Sequence, residues 1–343
     1  MDGAPLGRAA GSVGVRVVLT LVVRDEEDIL SENLHYHLRA GVDLVLVTDH
    51  RSQDRTPELL ERYRRKGLVR VFREEARFNA QQHWQTAMAR LAATDHDADW
   101  VILGDADEFW WPRDGSLKEA LARVPIEYGS VRGLQRNFVP LRRSGAEFAE
   151  RMVIRLSASA PINDPATPFR PVAKVAVRAS PDVVVGKGGG HQVFGIRGAA
   201  LEAWHPVEVL HFPLRSREQC ARKYEKTWTG WERNLRGDLA RAQQTAETDR
   251  VDATWERLAL DDAAVQTGLA DGSLVTDVRI REALRPAGDD AFPRPGLDPA
   301  EDELAASVFG EAELVRKQRS VDDLERRAHA LEARRSASRV RVR

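Results

Sequence analysis

The stretch VRVVLTLVV, residues 15–23, is a nearly unbroken run of apolar, mostly β-branched residues. Such a run is typical of a strand that is covered on both faces of a sheet. The following residues, DEEDILSENLHYHLRAG, place Leu30, Leu34 and Leu38 at helical spacing, and Gly41 marks the end of the predicted helix. A buried strand followed directly by an amphipathic helix is the unit from which parallel α/β sheets are built.

The strand-and-helix unit recurs along the first third of the chain. Predicted strands are VDLVLVTDH (42–50), LVRVF (68–72) and WVILGDADEF (100–109), and predicted helices are TPELLERYRRKG (56–67) and NAQQHWQTAMARLAA (79–93). This alternation over residues 15–124 predicts an α/β fold with a doubly wound, mostly parallel sheet and helices on both faces. In such sheets ligands bind at the carboxyl ends of the strands.

Polar residues follow three of the four predicted strands. They are Arg24, Asp25 and Glu26 at the end of the first strand, Asp49 at the end of the second with Asp54 after it, and Asp105, Asp107 and Glu108 at the end of the fourth. Each acid alone is compatible with a solvated loop or a helix cap, and Asp54 precedes TPELL as a cap would. Buried charge must be paired or must coordinate a metal. Three clusters at one sheet edge favour a shared pocket, and oxygen ligands suit Mg²⁺ or Mn²⁺.

Beyond residue 124 the alternation gives way to shorter strand-like pieces. The loop GKGGGHQVFG (186–195) lacks the spacing of a phosphate-binding or dinucleotide-binding loop, so a tight hairpin is its simpler interpretation. The composition predicts the following organisation: a disordered leader (1–13), an α/β domain (14–240) with a nucleotide-binding half (about 14–124) and an acceptor half (about 125–240), a helical extension (241–284), a Pro/Gly linker (285–300), a C-terminal helix (301–335) and a basic tail (336–343).

Composition limits the class of protein. The 343 residues include 52 basic and 53 acidic ones, for a net charge of -1, so nothing in the overall charge indicates nucleic acid as a partner. The single Cys220 excludes an intramolecular disulfide and is compatible with a reducing cytoplasm. With neither a secretory signal nor a run of roughly 18 apolar residues, we expect a cytoplasmic protein. The basic tail is compatible with contact at the inner membrane face, and the C-terminal helix with packing on its own chain or a homodimer.

Three segments together resemble a known family. They are VVRDEEDILSENLHYHLRAGVDLVLVTDHRSQDRTPELLERY (22–63), VILGDADEFWW (101–111) and LHFPLRSREQCARK (210–223). In this order they are similar to the family-two-like glycosyltransferases of bacteria, which have the GT-A fold, over about residues 15–230. The resemblance implies a nucleotide-sugar donor, a Mn²⁺ or Mg²⁺ ion and transfer of a sugar to an acceptor hydroxyl. The acceptor would be a glycan, a lipid-linked molecule or a small molecule, in the synthesis of a polysaccharide, glycolipid or other glycoconjugate.

The resemblance also implies roles for individual residues. Asp105 would lie toward the ribose and the metal, and Asp107 would contact the metal, with His191 and His211 as further ligands or as structural histidines. The residues that would line the nucleotide are Arg24, Asp25, Glu26, Asp49 and Asp54, and Arg215 and Lys223 would neutralise the pyrophosphate unless they are ordinary surface residues. An inverting transfer needs a base near the acceptor hydroxyl, and Glu108 and Asp164 are the two candidates. Gln192 departs from the family pattern, because an acid is expected there.

Three alternatives belong to other classes. A sugar-nucleotide nucleotidyltransferase needs a glycine-rich, basic loop after the first strand, where this chain has the acidic RDEED. A phosphohydrolase with an aspartate nucleophile places its Asp-x-Asp motif after the first strand, whereas this chain has the motif after the fourth. Loss of Asp105 or Asp107 would favour a catalytically inactive scaffold, but this chain has both acids.

Overall fold

The computed structural model describes residues 14–76, 79–142, 147–157, 172–201, 205–223, 252 and 255–285. The predicted leader, the linker, the C-terminal helix, the basic tail and the candidate base Asp164 lie outside these ranges. Cys220 lies within them and is fully buried. In the described part of the chain, no helix has the length and apolar character that crossing a membrane requires.

The N-terminal half alternates strictly between strands and helices. Its strands are β1 (Val17–Val23), β2 (Leu44–His50), β3 (Val69–Glu74) and β4 (Trp100–Leu103), and its helices are α1 (Leu30–Arg39), α2 (Thr56–Arg64) and α3 (Gln81–Thr94). The strands pair in parallel in the order β3-β2-β1-β4. Their carboxyl ends therefore meet at one edge of the sheet, as the sequence predicts.

The second half extends the sheet with strands of both directions. Its elements are β5 (Glu108–Pro112), α4 (Leu117–Ala122), β6 (Tyr128–Asn137), α5 (Phe148–Arg151), β7 (Ile154–Leu156), β8 (Ala173–Arg178), β9 (Val184–Val185), β10 (Val193–Phe194), β11 (Ala199–Leu201), β12 (Val207–His211), α6 (Asp262–Asp271), β13 (Leu274–Thr276) and α7 (Arg279–Leu284). The sheet continues from β4 through β8, β6 and β12 to β5, with β11 beside β6. β8 is antiparallel to β4 and β6, and β12 is parallel to β6 but antiparallel to β5. The predicted α/β class with a mostly parallel sheet is confirmed.

Helices cover both faces of the sheet. Leu30 and Leu34 of α1 pack in one apolar cluster with Leu19 of β1, whereas Met88 of α3 packs in a second cluster with Val18 of the same strand. Neighbouring residues of a strand point to opposite faces, so the two clusters lie on the two sides of the sheet. This arrangement explains why VRVVLTLVV is apolar at nearly every position.

Two features of the second half position residues near the carboxyl end of β4. Because β12 runs antiparallel to β5, His211 is the register partner of Glu108. The glycine-rich loop joins β9 and β10, which form an antiparallel pair, so it is the hairpin that the sequence predicts. Gly190 in this loop has φ +78, and a Cβ there would lie 2.8 Å from the carbonyl oxygen of Leu103, the last residue of β4. A glycine is therefore required where the loop meets the strand end.

Glu74, the last residue of β3, predicts a pH dependence of stability. Its side chain is buried and its Oε1 forms no hydrogen bond with the described residues. Burial raises the pKa of Glu74 to about 7. The folded protein therefore retains a proton that the unfolded chain releases above about pH 4.5, and the free energy of unfolding should fall by at most about 3 kcal/mol between that pH and about pH 7.

Glu74→Gln should remove this part of the pH dependence, because glutamine does not ionise. Urea unfolding of both proteins at about pH 5 and about pH 8 measures the difference between their slopes. Equal slopes for the wild type and the variant would contradict the raised pKa of Glu74.

Candidate active site

A cavity of about 340 Å³ opens at the carboxyl ends of β1 and β4. The loops after these two strands form one wall, and the start of α3 and the helical residues 217–223 form the others. Its charged lining residues are Arg24, Asp25, Glu26, Asp105, Asp107, Arg222 and Lys223, and His50 and His211 also line it. The structure therefore brings the acids after the first and fourth strands into one pocket.

Asp105 is held by protein donors on both carboxylate oxygens. Its Oδ2 accepts a hydrogen bond from Lys174 Nζ at 2.7 Å, and its Oδ1 accepts one from Gln81 Nε2 at 2.8 Å. Lys174 also donates to the carbonyl oxygen of Gly189 in the glycine-rich loop, at 2.5 Å. The ammonium group thus ties the first acid of the motif to that loop.

Lys174 is fully buried although it carries a charge. Its Nζ lies 3.2 Å from Glu108 Oε2 in addition to its contact with Asp105. Burial by itself would lower the pKa of Lys174, but these two carboxylates outweigh it and raise the pKa. A buried ammonium with two carboxylate partners and a carbonyl acceptor has its charge and its hydrogen bonds satisfied.

Glu108 is 1% exposed and does not line the cavity. Its Oε1 accepts from Gln135 Nε2 at 2.6 Å, and its Oε2 accepts from the backbone amide of Asp105 at 3.1 Å. Burial is the largest influence on this group and raises the pKa of Glu108, while the charge of Lys174 opposes the increase. These contacts engage both carboxylate oxygens, so Glu108 helps to fix the conformation of the motif. Its role as a base stays a prediction.

Asp107 faces the cavity among positively charged groups. Its Oδ2 lies 3.0 Å from Lys223 Nζ, 3.7 Å from His211 Nε2 and 4.0 Å from Arg215 Nη1. Burial alone would raise the pKa of Asp107, but the charges of Lys223 and His211 outweigh it and hold the pKa well below its usual range. Asp107 is therefore ionised, and its Oδ2 faces positively charged side chains.

The pair Asp107 and His211 fits a divalent cation. His211 Nδ1 lies 2.6 Å from Asn137 Oδ1, so Nδ1 donates its proton there, and the neutral ring would offer the lone pair of Nε2 to a cation. Metal-binding histidines are oriented in this way by a hydrogen bond from the other ring nitrogen. No group of three or more His, Cys, Asp or Glu side chains among the described residues is arranged to hold a metal ion. A cation bound by this pair would take its remaining ligands from water or from the oxygens of a bound anion.

Arg215 does not line the cavity, and only 1% of its side chain is exposed. It binds Asp28 through Nε at 2.7 Å and Nη2 at 2.8 Å, and it binds Glu26 Oε2 through Nη2 at 2.6 Å. Burial would lower the pKa of Arg215, but these carboxylates raise it. Arg215 thus joins the loop after β1 to the segment after β12, and its predicted contact with pyrophosphate stays a prediction.

The acids after β1 and β2 organise the loop between β2 and α2. Asp25, at φ 55, accepts hydrogen bonds from the backbone amides of Gln53 and Asp54 on one oxygen. Asp49 accepts from the amide of Ser52 at 3.2 Å, and Asp54 accepts from the amide of Thr56 at 2.9 Å. Asp25 lines the cavity, whereas Asp49 and Asp54 do not. Burial is the largest influence on Asp49 and raises its pKa.

Arg24 and Arg222 are the two arginines among the residues that line the cavity. The buried Nε atoms of Arg24 and Arg222 form no hydrogen bonds with the described residues. Planar guanidinium groups suit phosphate oxygens because they donate two parallel hydrogen bonds. The predicted histidine ligand His191 is not part of the cavity wall, and its Nδ1 is 2.9 Å from the carbonyl oxygen of Ala173.

Sequence reasoning missed several residues of this site, among them Gln81, Asn137, Lys174 and Arg222. Lys174 offered one weak signal, a lysine within the apolar strand segment KVAVRA. Gln81 and Asn137 offered none, because amides on a helix or at a strand end are common. Gln81 contacts Asp105 and Asn137 contacts His211, and both contacts join elements that are distant along the chain.

Trp110, two residues after Glu108, belongs to the core. Its side chain is fully buried in the same apolar cluster as Phe109. Trp111 is partly buried against this cluster and stacks on Tyr36 at 5.8 Å between ring centroids. The aromatic residues after the acidic motif thus anchor β5 to α1, and they hold the motif between two buried strands.

Comparison with solved structures finds several glycosyltransferases at low sequence identity. S. aureus TarS (residues 1–349, in complex with UDP) is 15% identical with a TM-score of 0.33, and the match covers 64% of this chain and 70% of that one. The mannosyltransferase PcManGT from Pyrobaculum calidifontis, in complex with GDP-Man and Mn²⁺, is 15% identical with a TM-score of 0.32, covering 75% and 79%. Glucosyl-3-phosphoglycerate synthase from Mycobacterium tuberculosis is 17% identical with a TM-score of 0.24, covering 40% and 47%.

A family model matches the part of the chain that contains the acidic motif. No curated protein matches the chain significantly. The model of glycosyltransferase family 92 matches residues 19–145, which include most of β1, all of β2 to β6 and the acids at the ends of the first, second and fourth strands. The match spans less than half of the 343 residues, and it relates this segment of the chain to the glycosyltransferases.

Proposed function

We propose that this protein is a glycosyltransferase that moves a sugar from a nucleotide-diphosphate donor to an acceptor hydroxyl with the help of a divalent cation. The observation that carries the proposal is the cavity at the carboxyl ends of β1 and β4, where Asp107 and His211 face the same space as Arg24 and Arg222. The match of residues 19–145 to glycosyltransferase family 92 supports the same reaction class.

The charges of the cavity suit a diphosphate leaving group. Glycosyl transfer breaks the bond between the anomeric carbon and the diphosphate oxygen, and negative charge develops on the phosphate oxygens. Arg24, Arg222 and Lys223 are positive groups that can lie against those oxygens without a proton transfer. A bound divalent cation would supply Lewis-acid stabilisation of the same charge. Asp107 and His211 are the residues that would hold it.

The nucleoside would lie toward the loop after β1. Asp25 lines the cavity there, and its hydrogen bonds from Gln53 and Asp54 fix the carboxylate in place. A fixed carboxylate can accept hydrogen bonds from ribose hydroxyls or from a base N–H. Asp105 lines the same cavity, and its bonds to Lys174 and Gln81 give it one orientation. The two acids of the motif therefore have separate tasks, with Asp105 near the ribose and Asp107 near the cation.

Isothermal titration of the purified protein with UDP and with GDP, each with and without Mn²⁺, tests this proposal. We expect one of the two nucleotides to bind, and to bind at least about a hundredfold more tightly with Mn²⁺, because the cation links Asp107 to the diphosphate. The corresponding nucleoside monophosphate is the matched control, since it lacks the second phosphate and should gain much less from Mn²⁺.

The scaffold alternative makes the opposite prediction. If UDP, GDP and the other nucleoside diphosphates all fail to bind in the presence of Mn²⁺, the cavity does not bind a donor and the proposal is wrong. Equally tight nucleotide binding with and without Mn²⁺ would be compatible with a nucleotide-dependent function but would refute the role of the cation.

A further inference from the structure

Lys223 contacts the carboxylate that would hold the cation. Its Nζ lies 3.0 Å from Asp107 Oδ2 and 3.1 Å from the carbonyl oxygen of Pro213. The side chain is 43% exposed, whereas that of Asp107 is 9% exposed. The ammonium therefore covers the carboxylate from the solvent side of the cavity.

The two lysines that contact the acidic motif, Lys174 and Lys223, differ in their freedom to move. Lys174 is fully buried and is held by Asp105, Glu108 and the glycine-rich loop, so its charge is a fixed part of the framework. Lys223 reaches Asp107 from the solvent side. A lysine side chain has a flexible four-carbon stem, and a partly exposed one can change its partner at low cost. Of the two ammonium groups, Lys223 is the exchangeable one.

A cation and the ammonium of Lys223 cannot occupy the same side of Asp107 together. Lys223 Nζ and His211 Nε2 both approach Oδ2 of Asp107, at 3.0 and 3.7 Å, so a divalent ion held by Asp107 and His211 would compete with Lys223 for this oxygen. Two positive charges at such a short separation repel each other, and more strongly in a partly desolvated cavity than in water. Cation binding therefore requires Lys223 to leave Asp107.

We propose that Lys223 is an exchangeable counter-cation that occupies Asp107 in the nucleotide-free protein and moves to the diphosphate when a cation and a nucleotide bind together. This inference rests on the proposed function and assigns Lys223 a second task in the same site. Without a diphosphate, displaced Lys223 gives up its 3.0 Å contact with Asp107, so free cation binds weakly. With a diphosphate present, the phosphate oxygens become that partner.

The exchange couples the two ligands. A group that opposes one ligand and favours the other makes their binding cooperative, and the coupling factor is the same in both directions. Lys223→Gln should therefore have opposite effects on the affinity for Mn²⁺ alone and on the gain in nucleotide affinity that Mn²⁺ provides. It should tighten the binding of Mn²⁺ alone, since the competing charge is lost. It should also weaken the gain that the nucleotide obtains from Mn²⁺, since the diphosphate loses a positive partner.

Mn²⁺ titration followed by electron paramagnetic resonance, without nucleotide and with UDP or GDP, tests the exchange. In the absence of nucleotide we expect Lys223→Gln to lower the Kd for Mn²⁺ about tenfold and to reduce the Mn²⁺–nucleotide coupling factor by a similar amount. Lys223→Arg retains the charge and should resemble the wild type in both measurements. Asp107→Asn should remove the tight Mn²⁺ site in either background.

Lys118→Gln is the matched control, because Lys118 Nζ bonds Asp43 Oδ1 outside the cavity and is exposed to a similar extent, 37%. An unchanged or weaker affinity of Lys223→Gln for free Mn²⁺ would overturn the exchange, and if the wild type still binds nucleotide with Mn²⁺ the proposed function stands. Failure of the wild type to bind any nucleoside diphosphate would overturn the proposed function, while tighter Mn²⁺ binding by Lys223→Gln would still support the competition at Asp107.

Discussion

Asp107→Asn is expected to weaken the binding of the nucleoside diphosphate in Mn²⁺ by about a hundredfold and not to weaken its metal-free binding. The side chain is directed at the cavity, and its pKa is held well below the usual range, so the wild-type group carries a full negative charge. Asparagine has the same shape but no charge, and a neutral amide is a poor ligand for a hard divalent cation. The loss corresponds to about 2.7 kcal/mol.

Isothermal titration of Asp107→Asn with and without Mn²⁺ measures the loss. Asp43→Asn is the matched control, because Asp43 also accepts a hydrogen bond from a lysine but lies outside the cavity. Circular dichroism should show that both variants fold. Retention of Mn²⁺-dependent binding by Asp107→Asn would show that the cation is held elsewhere and would refute the assignment of Asp107.

Lys174→Met is expected to lower the free energy of unfolding by about 3–5 kcal/mol, because it removes the cation of a buried ion pair and leaves its carboxylates uncompensated. Glu108 is only 1% exposed, so the abandoned charge has little access to water. Methionine matches the length of the lysine stem, and the loss therefore reports the charge more than the packing.

Glu108→Gln in the Lys174→Met background tests this explanation. Removing the unpaired carboxylate should recover part of the lost stability, and a double-mutant cycle gives the coupling between the two side chains. Urea unfolding is the measurement, with Lys118→Met as the surface control, for which we expect a loss of less than about 1 kcal/mol. A loss of similar size for Lys174→Met and Lys118→Met would mean that the buried ammonium contributes little to the fold.

Local sequence patterns determined the framework of this protein. The apolar run at residues 15–23 and the alternation up to residue 124 predict the parallel strands, since a strand covered on both faces must be apolar at nearly every position. The same reasoning places the acids at one sheet edge, because parallel strands have their carboxyl ends on one side. The positions of Asp105 and Asp107 in the cavity follow from this rule alone.

Pairing between side chains that are distant along the chain was decided only by the tertiary structure. Asp105 and Lys174 are 69 residues apart, and Asp107 and Lys223 are 116 apart. The local sequences KVAVRA and EQCARK do not indicate which carboxylate each lysine contacts. The contacts depend on the position of β8 between β4 and β6 and on the antiparallel pairing of β12 with β5. The sequence alone therefore determined where the acids lie, whereas the tertiary structure decided which cation neutralises each acid and which of these cations can move.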